Sequence, residues 1–519
     1  MKKTLLAGAI ALSLLGGCVS TDTSNEVPNN PVVNTAALET NSKLLISSNT
    51  LTTADAQALK AQLLNLKDGD TFDIAPGKFA NLGRFDITAN NVTIKASEPG
   101  KTWFTGSTQL NLRGNNITLD GVVFTEGGPA ERMGGIVFRG NNNLVTNSTF
   151  YFFNDGYEYE PMGDRDEYPK YLWVSIYGKN NQLINNTFEG KHKRGTLIGI
   201  QKAKGDKTPD NHVIKGNLFF NQKSNQFYEF DFKAAERYNS NSWEAIRVGD
   251  SKSSIYPSQT LVEGNLFLQC DGETELITFK SGENILRGNT IVDSASMISL
   301  RHGKNNTVEN NVIIGNAKRY TGGIRFYDEG HVIRNNYIER VMGTGNVRGG
   351  IAVNTGITDV QNGEKLGGGV KGKGLNKQAT PYKVLVENNS IIDSRQNILY
   401  SSKVHSVSQY DNSKVSTVYA GTDITFRNNL SFADQKKTLA VKGDDGNAPL
   451  VNPVYENELY YGEVAETTLP NIPGIITDLK PELVRGENGL LEATNYTGGA
   501  RGLTVLTVND TGASYRIQK

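Results

Sequence analysis

Short apolar segments, each closed by a polar corner that ends in Asn, recur along most of this chain. Clear copies are His212-Val-Ile-Lys-Gly-Asn217-Leu-Phe219, Leu261-Val-Glu-Gly-Asn265-Leu-Phe267, Ile285-Leu-Arg-Gly-Asn289-Thr-Ile291, Thr307-Val-Glu-Asn-Asn311-Val-Ile313 and Val332-Ile-Arg-Asn-Asn336-Tyr-Ile338. From Asn265 the corner Asn returns after 24, 22 and 25 residues. Earlier and later copies, from Asn115 to Asn429, are spaced more widely, as loops inserted between strands would space them. A period in the low twenties carried by short β segments predicts a solenoid. Asn suits its corners because it tolerates left-handed backbone geometry, bonds nearby backbone and can stack in a ladder. The Leu-x-Leu-x-x-Asn spacing of leucine-rich repeats is missing, so the pattern predicts an all-β parallel β-helix over residues 46–440.

Two stretches break the repeat. Ala56, Leu59, Leu63 and Leu66 fall at helical spacing and predict a helix over Thr52–Leu66. Thr52 or Thr53 would cap it, with Asp55 in its first turn. Such a helix would cover the open N-terminal end of the β stack. From about residue 440 the repeat is lost among Pro449, Pro453, Pro470, Pro473 and Pro481. Residues 441–519 are expected to pack along the solenoid or cap its other end.

The N-terminus reads as a targeting segment. Lys2 and Lys3 precede the apolar run Leu5 to Leu15, which ends in Leu15-Gly16-Gly17-Cys18. The run is too short to span a bilayer as a mature helix. Residues 1–17 are expected to be a lipoprotein signal peptide, with Cys18 lipidated by resemblance to the bacterial lipobox. Val19 and Ser20 then favour the outer membrane; a secreted or periplasmic location is the alternative. Residues 18–45, rich in Asn, Thr, Ser and Pro, read as a tether. Cys270 is the only other cysteine, so no intramolecular disulfide or cysteine metal site forms once Cys18 is lipidated. Cys270 reads as a buried core thiol.

Charge narrows the partners. The chain carries 54 basic and 54 acidic residues, so no global field favours nucleic acid. An acidic polymer must be met by a local cluster. One candidate is Glu273-Thr-Glu275-Leu-Ile-Thr-Phe-Lys280, with Ser299-Leu-Arg301-His302-Gly one repeat later. Residues one period apart stack on adjacent coils, so Lys280 and Arg301 fall on one face. Glu273 and Glu275 are two apart and point to one side. Asn241 and Arg247, one coil and a loop earlier, can converge with them.

Two carboxylates and an amide oxygen suit a hard cation such as calcium. A cation there would neutralise a uronate carboxylate and acidify the proton on C5. A neutral Lys280 could accept that proton, while Arg301 stabilises charge or assists the leaving group. The outcome is β-elimination. On the residues alone, a solvated solenoid face fits too, as does an acid pair for glycoside hydrolysis built from Asp271 and Glu273. A non-catalytic carbohydrate-binding solenoid is a further alternative.

The ordered set Asn241-x-x-Glu-x-Ile-Arg247-Val-Gly, Glu273-x-Glu275-Leu-Ile-Thr-x-Lys280-Ser, Leu300-Arg301-His302-Gly303, Gly322-Gly323, His331-Val-Ile-x-x-Asn-Tyr337 and Arg348-Gly resembles polysaccharide lyase family 6. That family comprises alginate lyases and chondroitinase B. With the repeats, the resemblance covers roughly residues 50 to 430. It implies a right-handed β-helix and a lyase acting on an acidic polysaccharide. Alginate is the expected substrate, with a guluronate preference, and dermatan sulfate is the alternative. It further implies Lys280 as Brønsted base, Arg301 as Brønsted acid and Asn241, Glu273 and Glu275 as Ca2+ ligands. Arg348 matches a substrate-binding arginine. His302, Arg247, Tyr327 and His331 are expected in the cleft.

Overall fold

The repeat unit divides its corner between two neighbouring residues. Gly216, Gly264, Gly288, Asn310, Asn335, Asn388 and Asn428 take positive φ, between 52° and 65°. The Asn that follows each of them turns inward and is fully buried. Its side-chain amide donates to the Asn of the next coil. The line runs Asn217 to Asn265, Asn289 and Asn311 at 2.9 Å per step, then to Asn336, Asn389 and Asn429 at 2.8–3.0 Å. It ends on Glu458 Oε1 at 2.8 Å. Burial raises the Glu458 carboxyl to about 8, so it terminates the ladder as a neutral acid at neutral pH. Each such bond is worth about 1 kcal/mol net, and a stranded buried donor costs about 1–3 kcal/mol. The ladder therefore fixes the stacking register strongly.

The structure, a computed structural model, describes residues 51–154, 170–203, 205–223, 242–251, 253–345, 347–357, 378–400, 405–408, 411–443, 450–465 and 472–515. The expected signal peptide, the tether, Cys18 and Asn241 lie outside the described residues. Among those described, parallel strands stack into three columns. One is a 13-stranded sheet; the other two join through the long strand Thr102–Leu112 into a 27-stranded sheet. This is the expected parallel β-helix.

Inward-facing side chains stack between coils. Phe124, Phe150, Phe188, Phe219 and Phe267 form a file of rings with centroids 4.5–5.2 Å apart, and aliphatic residues continue it. Cys270 lies buried in this core, as expected. On the outside of the 13-stranded sheet one register column reads Lys215, Glu263, Arg287, Glu309, Arg334, Glu387, Arg427, Glu456. Alternating signs pair each coil with a neighbour, as in Arg287–Glu263 at 3.0 Å and Arg334–Glu309 at 2.7 Å. Each exposed pair is individually weak. Together they disfavour a one-coil slip, which would oppose like charges.

The N-terminal helix α1 spans Ala56–Leu64 and sets Leu59 and Leu63 into the core. It is shorter than expected. Asp55 is its cap, accepting from the backbone N–H of Gln57 and Ala58 at 3.0 and 2.9 Å. Thr53 instead belongs to a short strand paired with Lys78.

The solenoid also runs past the expected boundary at 440. Strands Val441–Gly443, Val454–Glu456, Glu458–Gly462 and Ile475–Ile476 keep the stacking. The loss of the sequence repeat there does not end the stacking. Residues 477–515 then turn back along the third column, the one that holds strands Leu266–Leu268 and Val312–Ile314, towards the first coils. Tyr496 Oη donates to the Asn429 and Asn457 carbonyls, and Leu506 N–H to Thr290 Oγ1. Near the end, Gly512 N–H donates to the Gly216 carbonyl and Tyr515 Oη to the Val122 carbonyl.

Five consecutive strands of one column carry the charged cluster. They are β1 (Ile246–Gly249), β2 (Glu275–Lys280), β3 (Met297–His302), β4 (Ile324–Phe326) and β5 (Ile351–Val353).

Candidate active site

Two irregularities in the ladder bring the charges together. Glu275 and Lys280 are an odd number of residues apart, so a regular pleat would put them on opposite faces. The register slips between Glu275 and Ile277, leaving Leu276 extra on β2; Leu276 and Ile277 both enter the core. Glu275, Thr278 and Lys280 thereby share the outer face. A second slip pairs Lys280 with His302 and leaves Arg301 as the extra residue on β3. Such bulges bend a strand and re-aim a side chain, and here they flank the cluster on both strands.

Three carboxylates converge beneath this surface. Glu244, Glu273 and Glu275 each place an oxygen within 4.8 Å of the others, and all three are buried. Thr196 Oγ1 donates to Glu244 Oε2 at 2.7 Å, and the Trp243 N–H to Glu273 Oε2 at 3.3 Å. Lys280 Nζ lies 3.4 Å from Glu244 Oε1 and 3.8 Å from Glu275 Oε2. Arg301 Nη1 lies 3.4 Å from Glu275 Oε1. Glu275 thus stands between the amine and the guanidinium, one oxygen towards each. The side chains of Lys280 and Arg301 are 11 % and 29 % exposed, against 1–3 % for Glu244 and Glu275. The cations therefore meet solvent and the carboxylates lie below them, which suits a polyanion arriving from outside.

Charge in this cluster is unevenly held. Burial, then Glu244 and Glu275, raise the Glu273 carboxyl well above the usual range. Burial also opposes ionisation of Glu275, yet Arg301, Lys280 and Arg325 hold its carboxyl below that range. Burial acts likewise on Glu244, which Lys280 and Arg247 hold low. Glu275 keeps Arg301 protonated beyond its ordinary range. Burial, with Arg301 and Lys280, pushes His302 down to about 3, so its ring is neutral. Glu275 Oε2 and His302 Nε2 are buried without a hydrogen-bond partner among the described residues. Three carboxylates with one unsatisfied oxygen fit a hard divalent cation.

The other expected site residues divide. Arg247 stands on β1 in register between Gly199 and Thr278, on the same outward column as Ser299 and Arg325. Arg348 reaches Thr274 Oγ1 at 2.9 Å and lies 5.6 Å from the Tyr320 ring. Tyr327 is buried beside Arg325 and Arg301. His331 is set apart from the others. Its Nδ1 accepts the Asn306 N–H at 3.1 Å and its Nε2 donates to the Tyr327 carbonyl at 2.7 Å. Both ring nitrogens serve the backbone, which gives it a supporting place beneath Tyr327.

Sequence reasoning missed Glu244 and Arg325. Glu244 lies inside the motif that includes Asn241 and Arg247, and its parity with those residues offered no reason to single it out. Arg325 follows Gly322-Gly323 and carries no motif of its own; only its register with Ser299 places it at Glu275.

The chain matches the Chondroitinase B family over residues 46–466. Among solved structures it is similar to the alginate lyase AlyF-OU02, described in complex with G6, at 51 % identity and a TM-score of 0.82, covering 92 % of this chain and 98 % of that one. It is also similar to a PL6 alginate lyase in complex with a trisaccharide, at 50 % identity and 0.81, covering 91 % and 97 %. The PL6 alginate lyase AlyGC shares the fold at 24 % identity and 0.72, over 90 % of this chain and 59 % of that one. No curated protein matches the chain. The chain belongs to the chondroitinase B family of polysaccharide lyases, family 6.

Proposed function

We propose that this protein is an alginate lyase that cleaves 1,4-linked uronate chains by β-elimination. The placement of Lys280 and Arg301 on opposite oxygens of Glu275, above a buried carboxylate cluster, carries this reading. Its support from relatives is the half-identical pair of alginate lyases described with bound sugars.

Lys280 removes the proton from C5 of the sugar on the non-leaving side of the bond. The electron pair forms the C4–C5 double bond as the C4–O4 bond breaks. Arg301, as the acid, gives a proton to the departing oxygen, which becomes the new hydroxyl; exchange with solvent then returns a proton to Arg301 and removes the one on Lys280. Neutral His302, beside both groups, adds no charge to the site. Arg348 and Arg247 are suited to binding further uronate carboxylates along the cleft. Glu244, Glu273 and Glu275 would hold a calcium ion, with Asn241 as the fourth candidate. When bound, that ion would neutralise the substrate carboxylate and acidify C5–H.

The direct test is ultraviolet absorbance of the unsaturated product during incubation with alginate. Absorbance should rise with alginate, and faster with guluronate blocks than with mannuronate blocks. No rise with either alginate or dermatan sulfate removes the lyase reading. A rise with dermatan sulfate alone makes the protein chondroitinase-like. New reducing ends without absorbance would mean hydrolysis.

We also propose that Cys18 carries a lipid anchor that holds the enzyme at the bacterial outer membrane. The Leu-Gly-Gly-Cys ending of the leader supports this. Cys18→Ser should move the protein from the membrane fraction to the soluble one; an unchanged distribution of the wild type and the variant rejects the anchor.

A further inference from the structure

Glu275 is gripped by more cations than an acid and a base require. Arg325 Nη2 donates to Glu275 Oε1, the oxygen that also meets Arg301 Nη1 at 3.4 Å and Ser299 Oγ at 3.3 Å. Arg325 Nε donates to Ser299 Oγ at 2.9 Å, so its planar fork spans both groups. Its guanidinium also lies 5.9 Å from the Tyr327 ring. In register it stands between Ser299 and Ala352, and these small neighbours leave room for it over the sheet. Its side chain is 10 % exposed against 29 % for Arg301, so it is less open to substrate.

Lys280, Arg301 and Arg325 crowd the two carboxylates that are held low, Glu244 and Glu275, while burial raises the third, Glu273. Lys280 and Arg301 are committed to the chemistry, so Arg325 is the member whose charge is fixed and spare. An arginine stays protonated at any working pH, so it offers a constant positive charge beside these carboxylates. That charge repels a divalent cation from the oxygens that would bind it, and it takes one of those oxygens outright.

We propose that Arg325 is a positioning residue that serves as a built-in cation. It holds Glu275 in place between base and acid. It also weakens the carboxylate cluster's hold on calcium, so that turnover does not depend on a tightly bound metal. The inference rests on the lyase reading of Lys280, Arg301 and Glu275, but calcium binding is measured separately from activity.

The experiment uses full-length protein stripped with chelator, as wild type, Arg325→Gln and Arg325→Lys. Calcium binding is read by isothermal titration calorimetry, and kcat and KM on alginate are read with and without added calcium. Gln removes the charge and keeps an amide donor, on a shorter side chain without the fork to Ser299. Arg325→Gln should bind calcium at least tenfold more tightly than the wild type. Its kcat should fall in chelator and recover when calcium is added, whereas the wild type should change little. Arg325→Lys should follow the wild type in calcium affinity. Unchanged calcium affinity in Arg325→Gln, or a lost kcat that calcium does not restore, overturns the proposal. So does Arg325→Lys binding calcium tenfold or more tightly than the wild type, and this arm stands alone if the Gln variant fails to fold. A tenfold calcium shift without lyase activity in any form would instead sink the proposed function and leave only the effect of Arg325 on calcium standing.

Discussion

Lys280→Arg should keep the fold and lose the reaction. Arginine retains the positive charge next to Glu244 and Glu275, so the buried carboxylates keep a partner. It cannot supply a neutral amine, because the guanidinium remains protonated. A positioned general base is worth about 10²–10⁴-fold in rate, and kcat should fall by that much. The melting temperature should stay within a few degrees, and KM should change far less than kcat. Lys280→Met is the less clean variant. It removes the ion-pair partner of buried Glu244 and one of three cations from Glu275, and removing one partner of a buried pair costs about 3–5 kcal/mol. A loss of activity there mixes chemistry with unfolding. If Lys280→Arg retains a tenth or more of wild-type kcat, Lys280 is not the base.

That contrast follows from where Lys280 sits, which the sequence shows only in part. The period of the Asn corners makes the parallel β-helix legible, because each buried Asn is needed at every coil. The same period places β2 beside β3, and so Lys280 near Arg301. The bulges are not legible. Nothing in Glu275-Leu276-Ile277 distinguishes a strand with an extra residue from one without, since Leu and Ile suit either face of a pleat. Yet that extra residue decides whether Glu275 and Lys280 meet. Register over two coils is equally hidden, which is why Arg325 escaped notice and His331 looked like a cleft residue. The His331 ring occupies a corner next to Asn306, where the backbone uses both its nitrogens. His212 fills a comparable corner, accepting the Asn181 N–H at 3.1 Å. Histidine there is a variant of the corner Asn, and a motif containing it reads as chemistry until the ladder is seen.

The C-terminal stretch was legible as a segment packed on the solenoid, but not as a strap along it. A signal was present in the repeats. Leu266-Phe267-Leu268 and Val312-Ile313-Ile314 are apolar at three successive positions, so both faces of these strands need cover. Their middle residues enter the core, while Leu266, Leu268, Val312 and Ile314 point outward. Leu490, Tyr496, Leu503 and Val508 lie over that outward stripe, with Leu430 and Leu459 at its far end. Stopping the chain after Ile476 should therefore be severely destabilising. Four large side chains at roughly 1.5–3 kcal/mol each approach the whole stability of an ordinary domain, about 5–15 kcal/mol. The exposed stripe would also present an apolar patch that favours association. The truncated protein should melt well below the wild type, bind a hydrophobic dye and aggregate when warmed. Leu503→Asp should produce a milder form of the same defect, by burying an unpaired charge where Leu503 packs. Because the strap covers the third column and Lys280 lies on the column of β1 to β5, the surviving folded fraction of Leu503→Asp should turn over alginate at the wild-type kcat. A truncated chain that melts like the full one would mean that the coils hold their own edge, and that the strap adds nothing to the stack.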